Sequence, residues 1–310
     1  MKKLLALIVF SLAVAATVQI HRHLAGATAP PPVPADPRRI VSLAPSVTET
    51  LYAIGLGDRV VGVTQFCHYP PEVKDKPKVA GFSDVNFEAV LRQNPDLVVL
   101  PVDKIRNKAQ LERLGLTVMP LDTRSLSGLL AAIRGLGAAT GQAEQAEAVA
   151  VRLENGIRAA RERAKGRARP STLFSVMHSY EGLGYITEIN AVGRDGFFNE
   201  LIEIAGGRNV YEGALAFPRL SREAIIFLNP EVIVDIIYQW DELEGVKNDW
   251  SSLSSVKAIK NDRLYFLTDE GDTVPGPRIY LTLEKLSRAF HPEAEEADSI
   301  KPHGENDAEN

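Results

Sequence analysis

The chain reads as an α/β protein of two Rossmann-like lobes with parallel sheets, joined by a single long connector helix. Three observations predict this. A fifteen-residue pattern occurs twice, as NFEAVLRQNPDLVVL at 86–100 and SREAIIFLNPEVIVD at 221–235. Short β-rich runs alternate with helical stretches on both sides of the chain's midpoint, the signature of sheets covered by helices. Between the two copies, residues 142–167 are dominated by Ala, Glu and Arg, with Gly156 and Gly166 the only glycines. That segment predicts one helix of nearly 40 Å at about 1.5 Å per residue, long enough to run along both lobes.

The order of elements follows from local signals. RIVSLAP (39–45) predicts a strand, and Ser46 with Glu49 three residues on predicts a capping box opening a helix. VVGVTQF (60–66) is the next strand. In each copy of the repeat a capping residue, Asn86 or Ser221, is followed two positions on by a glutamate, Glu88 or Glu223. An apolar helical face, an Asn-Pro stop and a buried strand complete it. The first lobe continues with a helix around 108–114, a strand at 117–121 and a helix at about 125–139. After the connector, a strand at 171–176 restarts the alternation. A helix at about 196–205 ends on Gly206 and Gly207, residues suited to a C-terminal cap. A strand at 263–267 and a helix at about 278–290 close the second lobe. The division predicted is 39–141, 142–168 and 169–291.

The ends have a different composition. Lys2 and Lys3 precede an apolar run from Leu4 to Ile20, and Ala25, Gly26 and Ala27 supply small residues for cleavage, so 1–27 reads as an export signal. The run exceeds the usual apolar core of about 7 to 15 residues, which leaves an uncleaved membrane anchor as the alternative. The absence of a cysteine near this point argues against a lipid anchor. Residues 28–38 form a Pro-rich spacer, and 292–310 an acidic tail with the composition of a solvated, disordered end. The net charge of −5 becomes −8 without Lys2, Lys3 and Arg22, and the tail holds seven acidic residues against Lys301, so the folded part is near −2. This excludes a basic nucleic-acid surface. The single cysteine, Cys67, allows no internal disulfide.

In open α/β sheets ligands bind outside the carboxyl ends of strands. The corresponding loops carry Phe66, Tyr69, Phe82, Tyr180, Tyr185, Phe217, Tyr238 and Trp240, a set suited to a large flat or greasy ligand. Lys104, Arg106, Arg124, Arg219 and Arg278 offer charge to an anionic chelate. Motifs for an enzyme are missing: no Walker loop, no GxSxG elbow and no GxGxxG follows the first strand. Glu270, Asp272, His178 and Glu181 are the only titratable candidates for a metal-dependent enzyme or sensor. Cys67 and His68 are adjacent in an extended segment and point to opposite faces, so no metal site is expected there.

The segments RIVSLAP, SVTETLYAIGLGDRVVGV, FCHYPPE, KPKVAGFSDVNFEAV, NPDLVVL, GFFNELIEIAGGRNV, FPRLSREAIIFLNPEVIV and VPGPRI follow one another over about 39–291. In that order and spacing the chain resembles the periplasmic substrate-binding proteins of cobalamin and iron-siderophore ABC importers. The resemblance implies a non-enzymatic, monomeric, exported protein that holds its ligand between the lobes and delivers it to a membrane permease, without a catalytic cofactor or metal. The cobalamin-binding members are most similar, through FCHYPPE. Carried over, Phe66, Phe82 and Phe217 stand where those proteins place aromatics against the corrinoid. Tyr238, Trp240, Asp272 and Thr273 complete the expected ligand contacts, although 270–273 replaces a more aromatic stretch. Cobalamin, a related corrinoid, haem and a siderophore all remain open as ligands. Glu88 and Glu223 match the two glutamates that dock on permease arginines.

Overall fold

The structure, a computed structural model, describes residues 33–81, 84–178, 184–194, 196–238 and 243–293. The predicted export leader, most of the predicted spacer and the acidic residues beyond 293 lie outside the described residues, as do Phe82, Tyr180, Glu181 and Trp240. The first lobe runs β1 (Ile40–Ser42), α1 (Pro45–Ala53), β2 (Val60–Thr64), β3 (Lys78–Ala80), α2 (Phe87–Arg92), β4 (Leu97–Pro101), α3 (Ile105–Arg113), β5 (Val118–Leu121) and α4 (Leu126–Ala139). Its five strands are all parallel, in the order β3-β2-β1-β4-β5. After α5 (Ala143–Ala164) come β6 (Ser171–His178), β7 (Glu188–Ala191), α6 (Phe197–Ile204), β8 (Arg208–Asn209), β9 (Arg219–Ser221) and α7 (Arg222–Leu228). The chain closes with β10 (Val232–Ile236), α8 (Leu243–Ser251), α9 (Lys257–Lys260), β11 (Leu264–Leu267) and α10 (Ile279–Phe290).

The second sheet is mixed, a departure from the wholly parallel sheet expected. In the order β11-β10-β6-β7-β9, with β8 beside β6, strand β7 is antiparallel to both β6 and β9. The reason is the short connection from His178 to Glu188. A parallel return needs a crossover of about a dozen residues or more, so the chain turns straight back.

Helix α5 is the predicted connector, 22 residues and about 33 Å long. It stops short of the expected 167 because Gly166 adopts a φ of 72° and breaks the run. Its buried stripe, Ala146, Val149, Ala150, Leu153, Ile157 and Ala160, has the three-and-four spacing of one helical face. That stripe belongs to a single core joining both lobes, from Ile40 and Leu97 to Phe174, Val234 and Phe290. Two glycines permit the close approach: a methyl group on Gly137 would overlap Ala146, and one on Gly156 would overlap Tyr280. Thus α4 packs against the start of α5 and α10 against its middle. The far face of each sheet has its own apolar cluster, around Val41, Val98 and Leu100 in the first lobe and Leu173, Ile233 and Trp250 in the second.

One capping expectation is corrected. Helix α1 starts at Pro45, with Ala44 as an uncapped N-cap, and Ser46 lies inside the helix. Proline at the first position sets φ for the helix and has no N–H to satisfy, so the start needs no capping box. Glu49 is thereby released for the other lobe.

Candidate functional site

The repeat places its glutamates as the sequence suggested. Asn86 caps α2, its side chain accepting from the Ala89 N–H at 2.9 Å, and Ser221 caps α7, accepting from Ala224 at 3.3 Å. Glu88 and Glu223 therefore sit in the first turns of equivalent helices, both exposed. Glu88 pairs with Arg92 at 2.9 Å. Glu223 accepts from the Ser221 hydroxyl at 2.8 Å, and that bond holds its carboxyl below the usual range.

Between the lobes the structure shows a clasp that sequence reasoning missed. Arg278, just before α10, donates to both oxygens of Glu49 on α1, from Nε at 2.9 Å and Nη2 at 2.6 Å. The same guanidinium lies 3.5 Å from the centre of the Tyr69 ring. Glu49 is only 4% exposed. Burial pushes its carboxyl up, and Arg278 pulls it back only in part. For Arg278 burial opposes the charge, but Glu49 outweighs it and the proton is held more tightly than usual. A second tie joins the lobes: the Glu200 carboxylate on α6 accepts the Leu126 N–H at the start of α4, at 2.7 Å. Nothing local could have revealed either tie, since the partners are 229 and 74 residues apart.

Beside the clasp, a cavity of about 390 Å³ is lined by Tyr69 from the first lobe and by Glu270, Asp272, Leu281 and Lys285 from the second. Asp272 lines it, yet its carboxylate is 2% exposed and committed to the protein. It accepts from Thr282 at 2.8 Å and from Lys285 at 2.9 and 2.7 Å, and closes a capping box with Asp269. Burial works against the Lys285 charge, but Asp269 and Asp272 more than offset this, so its ammonium holds its proton above the usual range. Asp272 thus organises its own loop, and Thr273 donates to the Glu270 carbonyl at 3.2 Å.

The aromatics divide. Phe66, after β2, is 38% exposed, Tyr69 43% and Phe217, leading into edge strand β9, 56%. Tyr185 and Met177 are likewise exposed on the second lobe. Tyr238 instead packs against the core and donates to the Val176 carbonyl at 2.9 Å. His178 is buried with Asp235, Nδ1 to Oδ2 at 3.4 Å, and Trp250 donates to the same oxygen at 2.8 Å. Among the described residues no three His, Cys, Asp or Glu side chains are grouped to hold a metal. Cys67 is buried between Thr48 and Thr64, with Sγ at 3.2 and 3.1 Å from their hydroxyls. Of the five cations proposed for an anionic ligand, Arg278 pairs with Glu49, Arg124 with Asp122, Arg219 with Glu188, Lys104 donates to the Leu43 carbonyl, and Arg106 is exposed. No helix among the described residues is long and apolar enough to cross a membrane.

Known proteins place this architecture. The periplasmic binding protein family matches residues 40–270. The chain is 31% identical over 266 residues to an uncharacterized ABC transporter substrate-binding lipoprotein of Bacillus subtilis, YvrC, covering 83% of this chain and 81% of that protein. It is 30% identical over 275 residues to the cobalamin-binding protein of Halobacterium salinarum, covering 83% and 70% respectively. The periplasmic haem-binding protein RhuT from Roseiflexus, in its apo form, superposes with a TM-score of 0.71 at 29% identity, over 83% of this chain and 99% of that one. A two-lobed fold with a helical connector and exposed aromatics agrees with these matches, and the chain belongs to the periplasmic binding protein family, as a non-enzymatic substrate-binding protein of ABC importers.

Proposed function

We propose that the protein captures a cobalamin-type corrinoid between its lobes in the periplasm and delivers it, as a monomer, to an ABC permease that grips Glu88 and Glu223. The observation that carries the ligand is the exposure of Phe66 and Phe217, one aromatic face on each lobe that a broad ring could cover. Aromatic faces suit a broad ring better than a compact anion. Of the cations proposed for an anionic chelate, Arg278 and Lys104 already have protein partners, whereas Arg106 is exposed and the exposed pairs of Arg124 and Arg219 are weak. The cobalamin-binding relative from Halobacterium supports the corrinoid reading further. Haem is the second reading, supported by the likeness to the Roseiflexus haem-binding protein.

Thermal unfolding of the protein against cyanocobalamin, haemin and a ferric siderophore tests the choice. A ligand at about a hundred times its dissociation constant adds roughly 2.7 kcal/mol of stability. Stabilisation by the corrinoid is expected; saturable binding of haemin or the siderophore with none of the corrinoid would overturn the ligand while leaving the transport function in place.

A further inference from the structure

The repeat presents more than its glutamates. One turn beyond each glutamate an aliphatic side chain stands in solvent at the matching position, Leu91 on α2 at 42% and Ile226 on α7 at 40% exposure. At the next position the copies part. Arg92 folds back onto Glu88, whereas Phe227 is 88% exposed, the most open large apolar side chain among the described residues. Glu223 makes no ion pair among the described residues, and its negative charge lies on the same short helix as Ile226 and Phe227. A carboxylate that makes no such ion pair, beside an open aromatic and an aliphatic, fits a partner with the reverse arrangement, a cation next to an apolar pocket.

We propose that α7 is the dominant half of the permease-docking surface, with Phe227 inserted into an apolar pocket of the permease beside the cation that takes Glu223. This rests on the docking function proposed for the two glutamates. In the first lobe Leu91 makes the equivalent apolar contact, and Glu88 must first exchange Arg92 for its partner cation. Docking is therefore lopsided although the segments that make it are duplicated.

The test uses the full chain and the importer's purified permease–ATPase complex in lipid nanodiscs, with docking affinity read by interferometry and melting temperature as the control for folding. F227S is expected to weaken docking at least tenfold with an unchanged melting temperature, while F227M, which keeps the apolar contact, stays within about threefold of the parent. If F227S docks normally while the E88A/E223A double variant does not, the Phe227 proposal is overturned and the glutamate docking stands. If neither variant affects docking, both fall. If F227S instead abolishes a dimer seen by light scattering and leaves docking intact, Phe227 covers a second copy of this chain and the proposal is overturned.

Discussion

Helices α2 and α7 are built from one pattern and differ in what they show to solvent. Both are capped by a side-chain oxygen, Asn86 or Ser221, and both stop on an asparagine in the left-handed region, Asn94 at φ 47° and Asn229 at φ 45°, before a proline. Each is followed by a fully buried strand, β4 or β10. The shared residues answer backbone demands, namely unsatisfied N–H groups at the start and a sharp exit at the end. The divergent residues, Arg92 and Phe227, face outward, where packing imposes nothing. Comparison of the copies thus separates what the fold requires from what it leaves free to vary.

The largest expected effect breaks the tie between the lobes. Replacing Arg278 by Ala leaves Glu49 buried without its partner, which typically costs about 3 to 5 kcal/mol, measured by urea unfolding at pH 7. The loss should shrink at pH 4. Because burial raises the Glu49 carboxyl above its usual 4.5, the folded protein binds more protons than the unfolded chain just above that pH, and this group's contribution to stability falls as pH rises. E49Q should flatten that slope; an unchanged slope would show that Glu49 does not titrate as described.

The two glutamates come next. Truncating one member of a desolvated carboxylate–arginine pair costs about 2 to 5 kcal/mol, so E223A should sharply reduce stimulation of transport in reconstituted vesicles. E88A should cost less, because removing Glu88 also frees Arg92 from its ion pair. Equal losses would mean that the lobes dock alike. Ligand affinity should be unaltered in both.

Phe66→Ala and Phe217→Ala compare the two rims. Each should weaken the ligand at least tenfold by titration if its ring is fully covered, equivalent to about 1.5 to 3 kcal/mol of apolar contact. An effect confined to one lobe would place the ligand on that lobe alone. The smallest effect concerns the caps. N86A and S221A should each destabilise by about 1 kcal/mol in thermal melts, N86A by more because its bond is shorter, 2.9 against 3.3 Å.

The local elements were legible because their causes are local. Capping oxygens, the Asn-Pro stops, the alternation of strand and helix, and the Ala- and Glu-rich composition of α5 act within a few residues of where they are read. The lobes and the connector followed from these alone. Site residues were legible only as candidates: Phe66 and Phe217 proved exposed, whereas Tyr238 packs inward and Asp272 is tied to Lys285. An aromatic or a carboxylate has the same local signature whether it faces a ligand or its own loop. Sequence by itself determined the type and order of most helices and strands and the duplication of the scaffold, but not every boundary: α1 opens at Pro45 without the expected capping box, and α5 ends at Ala164. Tertiary structure alone decided that β7 turns back against β6, that Glu49 leaves its helix cap for Arg278, and that Phe227 stays in water while Phe174 is buried. Those outcomes depend on which distant surfaces meet, and the free energy of such contacts belongs to pairs of residues that neighbour each other only after the chain has folded.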